Sequence, residues 1–235
     1  MSSVTLTPPV MEKTVSLQLH KRLRDKIISC QLAPGQRISE SEIASSYDIS
    51  RQPVREAFIK LAEENLVTIR PQRGTFIKRI SVSAAMTARF IREAVEADLV
   101  RKVVEVATPD MITALESQIE QQLNTIETSD PNEFMRLDEA FHKSLANYAM
   151  EPQVSDYLEV LNLPMTRARN LSAREFSPIK LVTQHTAIVR AIKNYDAINA
   201  EKAMRYHLRE IQNDLPQVVA RYPDYFETAE AFDNN

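Results

Sequence analysis

"APGQRISESEIASSYDISRQPVREAFIKLAEENLVTIRPQRGTFI", residues 33–77, decides the fold of the N-terminal part of the chain. Pro34 and Gly35 end a preceding helix, a short serine-rich helix follows, and Ser50 caps another. The runs "LVTIR" and "TFIKRI" are rich in β-branched residues, and "PQRG" between them predicts a two-stranded hairpin. Helices followed by a hairpin in this order predict a winged helix-turn-helix.

The second helix of such a pair enters the DNA major groove with its N-terminal residues leading. Here these residues are Ser50, Arg51, Gln52 and Arg55. Arginine can bind guanine through two hydrogen bonds or pair with phosphate. At the wing, the candidate DNA contacts are Arg70, Arg73 and Gly74. The alternative is a solvated basic face, in which Arg55 pairs within its own helix.

The same stretch resembles the DNA-binding domain of GntR-family transcription regulators. The family pattern has a short polar helix, an arginine-rich "VREA" helix and a glycine-containing wing, and the resemblance covers about residues 14–79. It implies that Arg51, Arg55 and Gly74 contact DNA. Many members have an arginine after the glutamate of the short helix, where this chain has Ser41. The resemblance therefore implies no DNA contact at that position.

Charge and glycine both divide the chain near residue 80. Residues 1–80 have 13 Lys and Arg against 8 Asp and Glu, a net charge of +5, whereas the remainder has 16 against 24, a net charge of −8. Both glycines precede residue 80. A basic segment joined to an acidic one indicates two parts of the chain with different functions. The predicted organisation is a flexible arm over 1–12, the winged helix domain over 13–80, an effector-binding and dimerisation domain over 81–226 and a flexible tail over 227–235.

The segment after residue 80 is predicted to be entirely helical. Apolar periodicity and the positions of prolines predict six helices. They span residues 83–107, 109–127, 132–150, 154 to about 171, 178–193 and 197–221. Sheets with tight turns usually need glycine, which is lacking here. The predicted fold class is therefore mainly α, with a winged helix-turn-helix followed by an all-α antiparallel bundle.

One of these helices places two polar residues on its apolar face. In "FMRLDEAFHKSLANY", residues 134–148, Asp138 falls within the apolar stripe and His142 at its edge. His185 and His207 repeat this anomaly on later helices. A single inward histidine is usually a hydrogen-bonded core residue. One carboxylate and three imidazoles together suit a divalent ion such as zinc, nickel or manganese, and spacing alone leaves both interpretations open.

The helical segment is similar to the FCD domain of FadR-like GntR regulators, in which an Asp and three His commonly hold a metal at the base of an effector pocket. The implied ligands are Asp138, His142, His185 and His207, with zinc as the first expectation. The family's "RxxxE" helix implies that Arg92 binds an effector carboxylate, and a pair with Glu96 is the alternative. Arg167 and Arg169 in "MTRARNLS" are further candidates for effector contacts.

The resulting hypothesis is a ligand-responsive regulator, a homodimeric repressor of a carbohydrate-acid catabolic operon with a palindromic operator. By similarity to regulators of sugar-acid catabolism, the effector is a small carboxylate, for which a sugar acid is one candidate. A metal-dependent enzyme with a DNA-binding appendage lacks a clear general base, so no enzymatic activity is expected. A constitutive DNA-binding protein with a structural metal is the other alternative. Short apolar runs, a single cysteine and no secretory signal predict a cytoplasmic protein without a membrane partner.

Overall fold

The structure, a computed structural model, describes residues 10–128 and 130–227. The chain divides between Arg79 and Ile80 into two compact units, which are described in turn. Most of the predicted arm and all but one residue of the predicted tail lie outside the described residues. Residues 10–12 of the predicted arm belong to the first helix. Among the described residues, none of the helices combines the length and apolar character needed to cross a membrane.

The N-terminal unit is a winged helix-turn-helix, as predicted. Its elements are α1 (Val10–Ile28), β1 (Arg37–Ile38), α2 (Glu40–Tyr47), α3 (Arg51–Glu63), β2 (Val67–Arg70) and β3 (Gly74–Ile77). The predicted hairpin of β2 and β3 gains β1 as a third, short strand, and the antiparallel order is β1-β3-β2. Apolar side chains of α1 and α3, such as Leu23, Ile27 and Phe58, form its buried core.

Local chemistry explains where the helices of this unit begin. The Ser39 hydroxyl accepts a hydrogen bond from the Glu42 backbone N–H at 3.1 Å and so caps α2. Ser50 occupies the N-cap position of α3 with extended backbone, but its hydroxyl makes no capping hydrogen bond. Pro53 follows in the first turn, where a missing N–H costs little. The predicted start of α3 is confirmed, although the side-chain cap is absent.

The C-terminal unit is a helical bundle, as predicted. Within the described residues its helices are α4 (Val82–Val106), α5 (Pro109–Thr128), α6 (Pro131–Tyr148), α7 (Pro152–Leu161), α8 (Leu163–Glu175), α9 (Ile179–Lys193), α10 (Ala197–Leu208) and α11 (Ile211–Arg221). The apolar core lies among α4, α5, α6, α9 and α10 and includes Val103, Leu115, Phe141, Ile188 and Met204. Helices α6, α9 and α10 also carry the inward polar residues.

Two of the six predicted helices are each divided into two shorter helices in the structure. The helix predicted over 154–171 breaks at Asn162, because Pro164 lacks the N–H that would continue the hydrogen-bond ladder and is tolerated only in a first turn. The helix predicted over 197–221 breaks between Leu208 and Ile211. There the buried Glu210 carboxylate accepts hydrogen bonds from α9. Apolar periodicity carries no information about such a contact.

Candidate functional site

Four polar side chains converge in the interior of the helical unit. Asp138 and His142 come from α6, His185 from α9 and His207 from α10. All four are buried, with Asp138 and His185 fully shielded from solvent. One potential ligand atom from each residue lies within 4.8 Å of the other three. The fold therefore gathers residues that are up to 69 positions apart in the sequence.

The spacing of the imidazole nitrogens matches that of ligands on a single ion. The His142 and His207 Nε2 atoms are 3.1 Å apart, and the His185 and His207 Nε2 atoms are 3.2 Å apart. Asp138 Oδ1 lies 3.6 Å from His185 Nε2. Nitrogens bound to one zinc ion at about 2.0–2.1 Å lie about 2.8–3.4 Å from each other, from octahedral to tetrahedral geometry. These three nitrogens could therefore hold one cation.

Each imidazole has an oxygen acceptor at its other nitrogen. The Nδ1 contacts are His142 with Glu96 Oε2 at 2.5 Å, His185 with Gln122 Oε1 at 2.7 Å and His207 with Gln184 Oε1 at 3.0 Å. An Nδ1 beside such an acceptor carries the proton, so the Nε2 of the neutral ring keeps its lone pair. When all three rings are neutral, their Nε2 lone pairs face one another.

The orientations of the two glutamine amides follow from their other contacts. Gln184 Nε2 donates to Glu210 Oε2 at 2.7 Å, and Gln122 Nε2 donates to the Leu137 carbonyl at 3.4 Å. Each amide oxygen is thereby left for a histidine N–H. The arrangement resembles the outer shell of protein metal sites, where a hydrogen bond to one nitrogen directs the other at the ion.

Asp138 supplies the oxygen of the cluster. Its Oδ2 accepts a hydrogen bond from Arg169 Nη2 at 2.6 Å, whereas its Oδ1 has no hydrogen-bond partner among the described residues. Burial raises the pKa of Asp138, but neighbouring positive charge, that of Arg169 above all, outweighs this effect and holds the pKa well below the usual range. Burial lowers the pKa of His185 to about 3, so this ring is neutral. An unpartnered anionic oxygen beside three lone pairs fits a bound cation.

Arg92 makes the pair with Glu96 that was the alternative to an effector contact, and it still has an unused donor. Its Nε donates to Glu96 Oε1, and the side chain is 1% exposed. Among the described residues, Nη1 has no hydrogen-bond partner, and Glu139 Oε1 is 3.9 Å from it. Burial lowers the pKa of Arg92, but Glu96 and the other carboxylates raise it by a larger amount. The net shift is upward, so the guanidinium stays charged. The helix pair and an anion anchor are therefore compatible.

A cavity of about 60 Å³ lies next to this cluster. Its lining includes Arg92, Arg169, His207, Met135, Met165 and Ile211. The predicted effector residue Arg167 is buried on α8 but does not line this cavity. Residues two positions apart on a helix differ in direction by about 200°. Arg167 and Arg169 therefore point to opposite sides of α8. The cavity thus joins two guanidinium groups to one histidine of the cluster.

The predicted DNA-reading residues of α3 lie on the surface of the N-terminal unit. Arg51, Gln52 and Arg55 are exposed. The Nε and Nη2 atoms of Arg55 each donate to a Glu40 carboxylate oxygen at 3.1 Å. The partner of Arg55 is thus on α2, and not on its own helix as the alternative supposed. This contact orients the guanidinium while leaving it at the surface.

The wing brings a further arginine beside the predicted ones. Gly74 has φ +104°, and a Cβ atom there would lie 2.7 Å from Nε of Arg37. The Arg70 guanidinium lies over the Phe76 ring, 5.0 Å from its centre. Arg70 and Arg73 are exposed, and so is Arg37 on β1. The absence of a side chain at Gly74 therefore makes room for the Arg37 guanidinium.

Two family models match the two units. The model of the gntR family of bacterial regulatory proteins matches residues 15–77, and that of the FCD domain matches residues 88–210. The chain belongs to the gntR family of bacterial regulatory proteins. It is a DNA-binding transcription regulator with an FCD effector domain and not an enzyme, as predicted.

Relatives of this gntR-family regulator share most of its length. The HTH-type transcriptional regulator YdfH of Escherichia coli O6:H1 is 37% identical over 94% of this chain and 95% of that protein. The HTH-type transcriptional repressor RspR of E. coli K12 is 37% identical over 90% of this chain and 93% of that protein. The solved structure of E. coli McbR/YncC superposes with a TM-score of 0.71 at 21% identity, covering 88% and 98% of the two chains. At this sequence identity, the similarity to McbR/YncC shows that the two chains share a fold.

Sequence reasoning located the buried cluster but missed several of its neighbours. Gln122 and Gln184 were not singled out, because a polar residue on an amphipathic helix gives no sign of a partner 63 or 23 positions away. Glu96 was predicted as a partner of Arg92, and not of a histidine. Arg37 was missed because a two-residue strand leaves almost no periodic signal. The three-dimensional contacts alone reveal these residues.

Proposed function

We propose that this regulator is a ligand-responsive repressor whose FCD domain holds a divalent metal ion and whose DNA affinity falls when a small carboxylate binds. The observation that carries the proposal is the convergence of three histidine Nε2 atoms and the unpartnered Oδ1 of Asp138 beside a cavity lined by two arginines. The repressor in the name of RspR, at 37% identity, supports the sign of regulation.

The residues that would hold the ion are Asp138, His142, His185 and His207. Three imidazoles with one carboxylate favour zinc, with nickel or manganese as the alternatives. When bound, the ion supplies positive charge at the edge of the cavity, which attracts an anionic ligand. The chain's own contribution is to keep the imidazoles neutral and oriented through Glu96, Gln122 and Gln184.

The effector contacts proposed are Arg92 and Arg169, with Arg167 left out because it faces away from the cavity. A carboxylate suits a guanidinium with an unused Nη1 group. The cavity of about 60 Å³ exceeds the roughly 10–15 Å³ that one water needs. It therefore has room for a small acid.

The proposed DNA-contacting residues are Ser50, Arg51, Gln52 and Arg55 on α3, with Arg70, Arg73 and Gly74 at the wing. The four arginines among them are exposed and positively charged, and Ser50 and Gln52 are exposed as well, which supports this assignment. We further propose a homodimer, because two winged helices related by a two-fold axis bind the two halves of a palindromic operator. Effector binding would then lower operator affinity by favouring a conformation in which the spacing of the two winged helices does not match that of the two operator halves.

The test begins with metal analysis of the purified protein, followed by a thermal-shift panel of short hydroxy acids, dicarboxylates and sugar acids. An operator is selected from random duplexes, and its affinity is measured with and without the stabilising acid. The proposal expects metal in the protein, a selective shift and weaker operator binding with the acid. Operator affinity that no acid changes would instead support a constitutive DNA-binding protein with a structural metal. A metal-free protein as isolated that binds none when offered zinc, nickel or manganese would refute the metal centre.

A further inference from the structure

Glu96 contacts both halves of the proposed effector site. Its Oε1 accepts a hydrogen bond from Arg92 Nε, and its Oε2 accepts one from His142 Nδ1 at 2.5 Å. Glu96 is 5% exposed, and the other two side chains are buried as well. A single buried carboxylate thus joins a candidate metal ligand to the candidate effector arginine.

We propose that Glu96 is a positioning residue that couples metal binding to carboxylate binding, so that each ligand raises the affinity for the other. The inference rests on the proposed function and names a regulation of that same site. A cation at His142 Nε2 makes the Nδ1–H a stronger donor and draws the Glu96 charge towards His142. The guanidinium of Arg92 is then less compensated, and its unpartnered Nη1 attracts an anion more strongly.

Thermodynamic linkage requires the effect to be reciprocal. A carboxylate that neutralises Arg92 leaves more of the Glu96 charge for His142, which raises the basicity of that ring as a metal ligand. Because all three side chains are buried, solvent screens this transfer only weakly. Coupling between two sites commonly amounts to about 5- to 150-fold in affinity.

Replacing Glu96→Gln breaks the link for a specific chemical reason. Arg92 Nε and His142 Nδ1 are both donors, and a glutamine amide has one acceptor oxygen and one donor nitrogen. It can therefore serve only one of the two partners. The matched control is Glu139→Gln, since Glu139 accepts a hydrogen bond from Arg169 at 3.2 Å and lies 3.9 Å from Arg92, but has no contact with a histidine of the cluster among the described residues.

The probes are zinc and acetate, whose four non-hydrogen atoms suit the cavity volume. Zinc affinity is measured by competition with a chelating dye, in sodium acetate and in sodium chloride of equal ionic strength. Acetate is expected to tighten zinc binding by about tenfold in the wild type and in Glu139→Gln. In Glu96→Gln the tightening is expected to be less than about twofold. Circular dichroism verifies that each variant is folded.

Equal tightening in Glu96→Gln would overturn the inference, because the coupling would then pass through direct contact between acetate and zinc. Zinc binding that acetate does not change in the wild type would also overturn it, while leaving the metal centre intact. Failure of the wild type to bind zinc would instead refute the zinc centre of the proposed function, and with it this inference. A second measurement avoids the variants: acetate is expected to move the His142 Nδ1 proton resonance of the zinc-loaded wild type, and an unmoved resonance contradicts the coupling.

Discussion

The Nε2 atoms of His142 and His207 lie 3.1 Å apart, and each ring has an oxygen acceptor beside its Nδ1 atom. Two lone pairs at this distance repel each other unless a cation lies between them or one ring takes up a proton. Burial holds the pKa of His207 well below its usual value, so protonation of that ring is disfavoured. The pair is therefore better suited to a metal ion than to an acid-base function.

Metal removal is expected to destabilise the helical unit. An ion that binds only the folded state, at one hundred times its dissociation constant, contributes about 2.7 kcal/mol. For a domain of this size that corresponds to about 5–10 °C in Tm. The double variant of His185→Ala and His207→Ala is expected to lose the ion and this response to zinc. The measurement is thermal unfolding with and without zinc, together with metal analysis.

The control for this experiment is His20→Ala, because His20 lies in the other unit and contacts Glu64 at 2.7 Å. Its metal content and zinc response are expected to match those of the wild type. Full metal occupancy in the double variant would contradict the assignment of ligands.

Arg92→Gln is expected to separate effector binding from metal binding. A hydrogen bond to a charged group contributes about 1.5–3 kcal/mol, so carboxylate affinity is expected to fall by roughly 10- to 150-fold. Zinc is retained, because Arg92 does not belong to the four-residue cluster. Calorimetry with the acid selected by the thermal-shift panel provides the measurement. Arg136→Gln serves as the control, since Arg136 is exposed on α6 and pairs with Glu133; an equal loss in both variants would contradict the role of Arg92.

The fold and the inward direction of the polar residues were predictable from local patterns, whereas the grouping of all four in one site was implied by the resemblance to FCD domains. Asp138 and His142 are four positions apart, so helical periodicity alone places them on one inward face, and the structure buries both. The breaks at Asn162 and Glu210 were not predicted, because apolar periodicity continues across them. Likewise, nothing local indicates that the two oxygens of Glu96 serve different partners. Contacts between distant helices decide the break at Glu210 and the two roles of Glu96, whereas Pro164 is a local signal for the break at Asn162.

The ion pairs of Glu93, a buried carboxylate on α4, are expected to make stability depend on acid pH. Arg209 donates to Glu93 at its Nε, 3.0 Å away, and together with Arg89 it lowers the pKa of Glu93 to about 2, against an opposing effect of burial. The unfolded chain therefore takes up this proton first as pH falls. The stabilisation is fully present above about pH 4.5 and is lost towards pH 2.

Glu93→Gln tests this dependence. One pKa unit corresponds to about 1.4 kcal/mol, but Arg209 is largely exposed and screened by solvent, so we expect a loss of about 1–2 kcal/mol at neutral pH. The difference from the wild type is expected to shrink as pH falls below 4.5. Urea unfolding between pH 6 and 3 measures it, with Glu133→Gln as an exposed control. A difference that stays constant with pH would contradict the assignment.

Arg51→Ala and Arg55→Ala are each expected to weaken operator binding without unfolding the protein. Loss of a bidentate contact with guanine costs about 1–3 kcal/mol, which corresponds to roughly 5- to 150-fold in affinity. Fluorescence anisotropy with the selected operator provides the measurement. Arg22→Ala removes the same charge from the exposed surface of α1 and is expected to have a much smaller effect. Wild-type affinity in a combined Arg51→Ala and Arg55→Ala variant would refute the role of α3.

Gly74→Ala tests whether the wing depends on the missing side chain. At φ +104° an alanine is strained, and its Cβ would lie 2.7 Å from the Arg37 Nε, so the guanidinium must move away. Strain of this kind costs about 1–3 kcal/mol, so Tm is expected to fall. Operator affinity is expected to fall as well, and its salt dependence to flatten, if Arg37 contacts a phosphate. Arg37→Ala should reproduce the weaker salt dependence without the backbone strain, whereas a variant that keeps the wild-type salt dependence would remove Arg37 from the DNA-contacting surface.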